Sequence, residues 1–98
     1  MIVVREVFQL HYGKAREAMA LVKEMSQLGP SMTAKPPRLL TDVVGPYYTL
    51  IMEAEFENLA AFEKAMSDET GAEGFRDLNA RFAPLVMEGR REIYRIVE

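Results

Sequence analysis

The chain contains no cysteine among its 98 residues. Disulfides, thiol nucleophiles and thiolate metal sites are therefore excluded for this sequence. A lack of cysteine suits a reducing compartment, and we expect a cytoplasmic protein.

Two further features are missing, namely a long apolar run and a surplus of basic residues. No run approaches the ~20 apolar residues that cross a bilayer, and the first residues do not resemble a signal peptide. The 12 Lys and Arg residues face 15 Asp and Glu residues, for a net charge of −3. A nucleic-acid module normally concentrates basic residues on one face. We therefore expect a soluble protein that uses neither a membrane nor nucleic acid as a partner.

The middle of the chain predicts a β-hairpin. Residues 39–44 and 47–56 are rich in Val, Ile, Thr, Tyr and Phe, and Gly45 and Pro46 separate the two runs. Gly tolerates positive φ and Pro cannot donate to a ladder, so this pair suits a tight connection. In the second run every other residue is apolar, which is typical of a strand packed against helices.

Alternation and helical periodicity organise the rest of the chain. Residues 2–10 alternate like a strand, with Glu6 as the one charged residue on an otherwise apolar face. Apolar residues then recur at helical spacing over 15–28, and Gly29 and Pro30 supply the residues that end a helix.

The second half predicts a divided helix and a last strand. Asn58 is a good N-cap for a helix that residues 67–74 interrupt and residues 75–85 resume. Pro84 predicts that the resumed helix tightens in its last turn. Residues 90–97 then alternate like a strand.

The order of elements is β-α-β-β-α-β, which predicts a ferredoxin-like α+β fold. Right-handed crossovers place both helical segments on one face of a four-stranded antiparallel sheet. Residues 1–98 fit a single domain.

The face of the sheet without helices combines aliphatic and charged residues. Alternation assigns to it Val3, Arg5, Val7, Gln9 and His11 from the first strand, Tyr47, Thr49, Ile51, Glu53 and Glu55 from the third, and Arg91, Ile93, Arg95 and Val97 from the fourth. We expect Arg5 to face Glu53 or Glu55 across one ladder. We expect Arg91 or Arg95 to face Arg5 across the ladder with the fourth strand. Such a face favours a homodimer, sheet against sheet, although a solvated face with scattered aliphatics is an alternative.

Three stretches carry a resemblance to a known superfamily. They are residues 10–14 (LHYGK) before an Ala-rich helix, residues 38–47 (RLLTDVVGPY), and residues 55–59 (EFENL). Together they resemble the NIPSNAP-like and antibiotic-biosynthesis-monooxygenase-like groups of the dimeric α+β barrel superfamily. The resemblance implies a homodimer whose two sheets enclose a barrel. Some members are cofactor-free oxygenases, some degrade haem, some isomerise lactones, and many have no known activity.

Several side chains are candidates for chemistry. His11 is the only histidine, the residue type most often used for proton transfer, so it is a candidate general base, although an ordinary surface role is the alternative. Tyr47 supplies a phenol that can polarise a carbonyl from an interior cavity, whereas Tyr48 and Tyr94 are predicted to lie in the core. The oxygenase and haem-degrading members often rely on a pocket Trp, and this chain contains none.

The charged face supplies candidate substrate-binding residues. These are Arg5, Gln9, Glu53 and Arg95. Glu53 and Glu55 lie two apart on one strand face, but hard cations require more oxygen ligands, so we expect no metal site. Salt bridging to arginines is the simpler role for these carboxylates.

These observations predict a homodimer that binds a small, largely apolar molecule between sheet and helices. It would act without a cofactor, as a monooxygenase or isomerase. The alternative is a non-enzymatic module whose second sheet face only forms the dimer. A regulatory domain that senses a metabolite is a third possibility. An open cavity in the structure would favour ligand binding, whereas a filled interior would favour the structural module.

Overall fold

A four-stranded antiparallel sheet forms one layer of the protein in this computed structural model, which describes residues 1–28 and 36–98. The strands are β1 (Ile2–Leu10), β2 (Arg38–Thr41), β3 (Thr49–Phe56) and β4 (Val86–Arg95). Their order across the sheet is β2-β3-β1-β4. This order confirms the predicted ferredoxin-like topology, with β1 between β3 and β4.

Three helices form the second layer. They are α1 (Ala15–Met25), α2 (Leu59–Thr70) and α3 (Phe75–Phe82). Asn58 caps α2 as predicted, because its side-chain oxygen accepts a hydrogen bond from the Ala61 N–H at 2.9 Å. The predicted helix end at Gly29 and Pro30 lies outside the described residues.

The predicted break in the second helical segment is confirmed, but it is shorter than the predicted 67–74 because α2 continues to Thr70. Residues 71–74 separate α2 from α3, and Gly74 adopts φ +91° just before α3 begins. The predicted tightening at Pro84 is also confirmed, because a 3₁₀ turn (Ala83–Leu85) follows α3 and leads directly into β4.

The core lies between the sheet and the helices, in two clusters. Leu10, Val22 and Leu50 are each at most 1% exposed in the larger cluster, which joins β1 and β3 to α1 and α3. In the smaller cluster the rings of Phe56 and Phe62 lie 5.3 Å apart and join β3 to α2. Both clusters lie on the helix side, so the other sheet face, here called the open face, has no covering layer within the described chain.

The hairpin is shorter than predicted. β2 ends at Thr41 and β3 begins at Thr49, so Val43 and Val44 lie in a loop at 96% and 95% exposure. The loop is closed early because a carboxylate oxygen of Asp42 accepts a hydrogen bond from the Thr49 N–H at 2.8 Å. Tyr48 adopts φ +61°, which interrupts the extended backbone before β3.

The last strand begins four residues earlier than predicted, at Val86, and includes Gly89. Gly89 lies opposite Phe8 in the β1–β4 ladder. A Cβ atom on Gly89 would lie 3.1 Å from Cδ1 of Phe8, so a side chain there would collide with the ring. The glycine therefore serves close packing inside a strand that the sequence predicts to begin only at residue 90.

The predicted faces of β4 are wrong. Arg5 pairs with Glu92 and Val3 with Tyr94, so Glu92 and Tyr94 lie on the open face. The residues assigned there from the sequence, Arg91, Ile93 and Arg95, pair instead with Glu6, Val4 and Ile2 on the helix side. Tyr94 is 50% exposed and is not part of the helix-side core. The physical reason lies in Glu6, whose carboxylate on the helix side is satisfied by the guanidinium of Arg91.

Candidate functional site

A line of alternating charges crosses the open face over all four strands. This charged row consists of Arg38, Glu53, Arg5, Glu92 and Arg90. Glu53 lies 2.5 Å from Arg38 and 3.4 Å from Arg5. Glu92 lies 3.6 Å from Arg5 and 2.6 Å from Arg90. The predicted contact of Arg5 with Glu53 is confirmed, but its partner on the other ladder is Glu92, not Arg91 or Arg95.

The row is held by direct hydrogen bonds at its two ends. The Arg90 side chain donates a hydrogen bond to Glu92, which lowers the pKa of that carboxyl. A hydrogen bond from Arg38 to Glu53 raises the pKa of the guanidinium. Three cations and two anions thus largely neutralise one another on this face.

A concavity of about 340 Å³, here called the open-face groove, lies at one end of the row. Its lining consists of Val7, Gln9, Pro46, Thr49, Ile51, Glu88, Gly89 and Arg90. The Gln9 amide donates to the backbone oxygen of Tyr47, and its oxygen accepts from the Thr49 hydroxyl at 3.1 Å. Gln9 is therefore fixed by contacts within the protein.

A larger concavity of about 480 Å³, here called the helix-side groove, lies between α3 and β4. It is lined by Glu6, Phe8, Asn79, Phe82, Ala83, Val86, Gly89, Arg90 and Arg91. Phe8 and Phe82 meet edge to face, with ring centroids 5.0 Å apart, and form an aromatic wall. The Phe8 ring packs directly on Gly89, because a Cβ atom there would lie only 3.1 Å from Cδ1 of Phe8.

One end of the helix-side groove is ionic. Nε of Arg91 donates a hydrogen bond to the carboxylate of Glu6, and the guanidinium lies 5.1 Å from the ring centroid of Phe62. Burial, and then the charge of Glu6, raise the pKa of the Glu69 carboxyl in α2. Two carboxyl groups and one cation therefore share this end, and the aromatic wall forms the other.

The two candidate catalytic residues lie at the end of the sheet. His11 is exposed directly after β1, and its backbone N–H donates to the Leu85 oxygen at 2.9 Å. Tyr47 is 76% exposed, with its ring 6.4 Å from that of Tyr12. Neither residue belongs to the linings of the two grooves. Their catalytic role stays a prediction.

Tyr48 behaves as predicted and packs against the larger core cluster. Its ring lies 4.8 Å from that of Tyr12, edge to face. Burial raises the pKa of the Tyr48 phenol, and the neighbouring Tyr12 adds to the effect. Tyr12 and Tyr48 pack together at the end of the sheet next to Leu10. The backbone N–H of Leu10 donates a hydrogen bond to the backbone oxygen of Tyr48 at 2.9 Å.

The four candidate binding residues are divided between the two sheet faces. Arg5, Gln9 and Glu53 lie on the open face, where Arg5 and Glu53 belong to the charged row. Arg95 lies on the helix side opposite Ile2, at the far end of the strand pair. Their role in binding a substrate stays a prediction.

The lining of the helix-side groove was largely missed from the sequence. The sequence predicts Glu6 and Arg91 on opposite faces of the sheet, and it predicts a last strand that begins only after Gly89, at residue 90. Glu6 is the sequence signal that identifies the ionic part of this lining, because a carboxylate on an apolar strand face requires a cation nearby. Arg91 is that cation, and the pairing would have assigned it to the helix side.

The described residues contain neither a metal-binding cluster nor a membrane-spanning helix. No three His, Asp or Glu side chains in residues 1–28 and 36–98 are grouped so that they could hold a metal ion. None of the helices in these same ranges is both long and apolar enough to cross a membrane.

Solved structures with the same fold span almost the whole chain. A NIPSNAP family protein from Agrobacterium tumefaciens has a TM-score of 0.85 and 16% identity, and the match covers 99% of this chain and 86% of that one. An uncharacterized NIPSNAP domain protein from Burkholderia xenovorans has a TM-score of 0.82 and 11% identity, over 99% and 95% of the two chains. An antibiotic biosynthesis monooxygenase has a TM-score of 0.69 and 15% identity, over 100% of both chains.

These similarities establish the fold and confirm the structural resemblance to both groups. No protein-family model matches the chain, and no curated protein sequence matches it. The chain is therefore a small α+β protein with the ferredoxin-like fold that NIPSNAP and antibiotic-biosynthesis-monooxygenase proteins share.

Proposed function

We propose that this protein is a homodimer in which each subunit binds a small, largely apolar molecule in the helix-side groove. The observation that carries the proposal is the groove between α3 and β4, whose lining combines the edge-to-face rings of Phe8 and Phe82 with the ion pair of Glu6 and Arg91. At about 480 Å³ the groove falls in the range of small-molecule sites, which are mostly apolar with a few polar groups.

The open face supports the homodimer. Val7 and Ile51 lie side by side there in the β1–β3 ladder and form an aliphatic pair in the middle of the face. Burying isolated charges in an interface is costly, but the charged row is already largely neutral within one subunit. A second copy presents the same aliphatic and neutralised surface, so an isologous contact fits this face better than a strongly charged partner.

Catalysis without a cofactor, as a monooxygenase or isomerase, is the further step of this proposal. His11 and Tyr47 are its candidate residues, and both lie outside the groove lining. The structural module remains the second candidate, because Glu53 and Glu92 neutralise Arg5 in the manner expected for a face that only forms a dimer.

Filling the groove tests the binding proposal. The neutral fluorophore N-phenylnaphthylamine is titrated into wild type, Ala83→Phe and Ala80→Phe. Ala83 lines the groove, whereas Ala80 is exposed on α3 and is absent from the lining, so it is a matched control. We expect Ala83→Phe to weaken probe binding about tenfold or more, which corresponds to roughly 1.4 kcal/mol. Ala80→Phe should bind the probe like wild type.

The result that would overturn the binding proposal is a wild-type protein that gives no saturable fluorescence, or equal binding by Ala83→Phe. Circular dichroism of both variants shows that the helices are intact, so that a loss of binding reports on the groove itself.

A further inference from the structure

Four members of the charged row lie at a single level of the sheet, one on each strand. Glu53 pairs with Arg38 in the β2–β3 ladder and with Arg5 in the β1–β3 ladder, and Arg5 pairs with Glu92 in the β1–β4 ladder. In the strand order β2-β3-β1-β4 the four charges therefore alternate as positive, negative, positive, negative. Arg90, the fifth member, lies two residues before Glu92 on β4.

Reversing the order of these four charges exchanges each one for its opposite. A two-fold axis that runs along the strands between two facing sheets produces this reversal, because it brings β2 opposite the partner's β4 and β3 opposite the partner's β1. Every cation at this level then faces an anion of the second copy. A two-fold axis that crosses the strands at the row brings each residue opposite its own copy, so that like charges face each other. Charge complementarity thus favours the axis along the strands.

Arg5, in the middle of the row, is not closely held within its own subunit. It lies 3.4 Å from Glu53 and 3.6 Å from Glu92, and both distances exceed those of typical hydrogen bonds. Its Nε is buried and has no hydrogen-bond partner among the described residues, although the side chain as a whole is 32% exposed. A carboxylate offers about four lone-pair sites, so Glu53 can accept from a second arginine while it keeps Arg38.

The neighbouring level of the open face fits the same axis. It contains Leu40, Ile51 and Val7 on β2, β3 and β1, and Arg90 on β4. An axis between β3 and β1 brings Ile51 opposite Val7 of the partner subunit, so aliphatic side chains meet beside the paired charges. An axis that crosses the strands between the two levels would instead set three charges of the row against aliphatic side chains, which is unfavourable.

We propose that the homodimer has its two-fold axis along the strands, between β3 and β1, with ion pairs from Arg5 to the partner's Glu53 and from Arg38 to the partner's Glu92. This inference rests on the homodimer of the proposed function and specifies how the second copy docks. Aligned sheets pack about 10 Å apart, a distance that facing arginine and glutamate side chains span together. The charged row then fixes the orientation of the two subunits.

A double-mutant cycle on Arg38 and Glu92 tests this orientation. Within one subunit these residues lie on opposite edge strands, three strand spacings or roughly 14 Å apart, so they do not contact each other. Arg38→Glu and Glu92→Arg each place like charges opposite each other twice per dimer. We expect each to raise the dimer Kd about tenfold or more, measured by sedimentation velocity over a dilution series. With both changes in one chain, opposite charges face each other again, and the Kd should return to within severalfold of wild type.

Arg95→Glu is the matched control for charge reversal. Arg95 lies on the helix side of β4, so this variant should keep the wild-type Kd. Circular dichroism shows whether each variant is folded. If charge reversal unfolds the protein, Arg38→Gln and Glu92→Gln repeat the cycle, and the double variant should then lose no more affinity than either single variant.

A dimeric wild type in which the effects of the two substitutions simply add would overturn the inference and leave the homodimer in place. A wild type that stays monomeric would overturn the homodimer of the proposed function together with the inference.

Discussion

Glu6 and Arg91 face each other across the β1–β4 ladder on the helix side of the sheet, and they form an ion pair there. The pair explains why a carboxylate occupies a strand position that is otherwise apolar. It also determines which residues of β4 lie on each face of the sheet. Because side chains alternate along a strand, Glu92 then lies on the open face, where it contacts Arg5. One pairing thus organises the ionic end of the helix-side groove and the middle of the charged row.

Gly89→Ala should destabilise the protein by about 1–2 kcal/mol, measured by urea denaturation. The added Cβ would lie 3.1 Å from the Phe8 ring, so the ring would have to shift by a few tenths of an ångström within its edge-to-face contact with Phe82. Phe8→Leu combined with Gly89→Ala is the control, because a smaller side chain relieves the collision. The double variant should lose less stability than the sum of the single variants, and strict additivity would contradict the packing assigned to Gly89.

Glu69→Gln should change how stability depends on pH. Burial and the charge of Glu6 raise the pKa of Glu69 above its usual 4.5, so the folded state binds the proton more tightly than the unfolded state. This group's contribution is present below the unfolded pKa and is lost as pH rises through the folded value. We therefore expect the stability of Glu69→Gln relative to wild type to increase as pH rises from about 4 to 7.

Thermal unfolding at several pH values measures this difference. Glu63→Gln, at an exposed position of the same helix, is the matched control and should follow wild type. A constant difference between Glu69→Gln and wild type over this range would contradict the assigned role of burial and Glu6.

Ile51→Asp should prevent dimer formation through the open face. It places a carboxylate beside Val7 in the middle of the proposed interface, where the burial of an added charge is unfavourable. Val43→Asp introduces the same charge in the exposed loop outside the strands and should leave the dimer intact. Light scattering after gel filtration gives the mass of each, and a dimeric Ile51→Asp protein would refute the interface.

The fold was largely predictable because its main signals are local. The alternation in β3 and the Asn58 cap act over a few residues, and both appear in the structure as expected. The ends of the two hairpin strands were less predictable. The carboxylate of Asp42 accepts a hydrogen bond from the Thr49 N–H, so the strand pairing stops before it reaches Gly45. A hydrogen bond of this kind depends on the folded geometry of the loop.

The candidate site was predictable only in part, because β4 gives an ambiguous signal. Both of its faces carry charged residues, and residues 90–97 alone do not reveal which one faces the helices. The contact of Arg5 with Glu53 followed from the strand order, whereas the helix-side groove depends on Gly89 lying opposite Phe8. That relationship joins residues about eighty positions apart and appears only once the register is known.

Native mass spectrometry of the wild-type protein as purified from cells tests the dimer and the bound ligand together. We expect the mass of a dimer that carries a reproducible additional mass of a small organic molecule, which is reduced in Ala83→Phe and retained in Ala80→Phe. A dimer without any additional mass that also fails to bind N-phenylnaphthylamine would contradict ligand binding and favour the structural module. A monomer would contradict the role assigned to the open face.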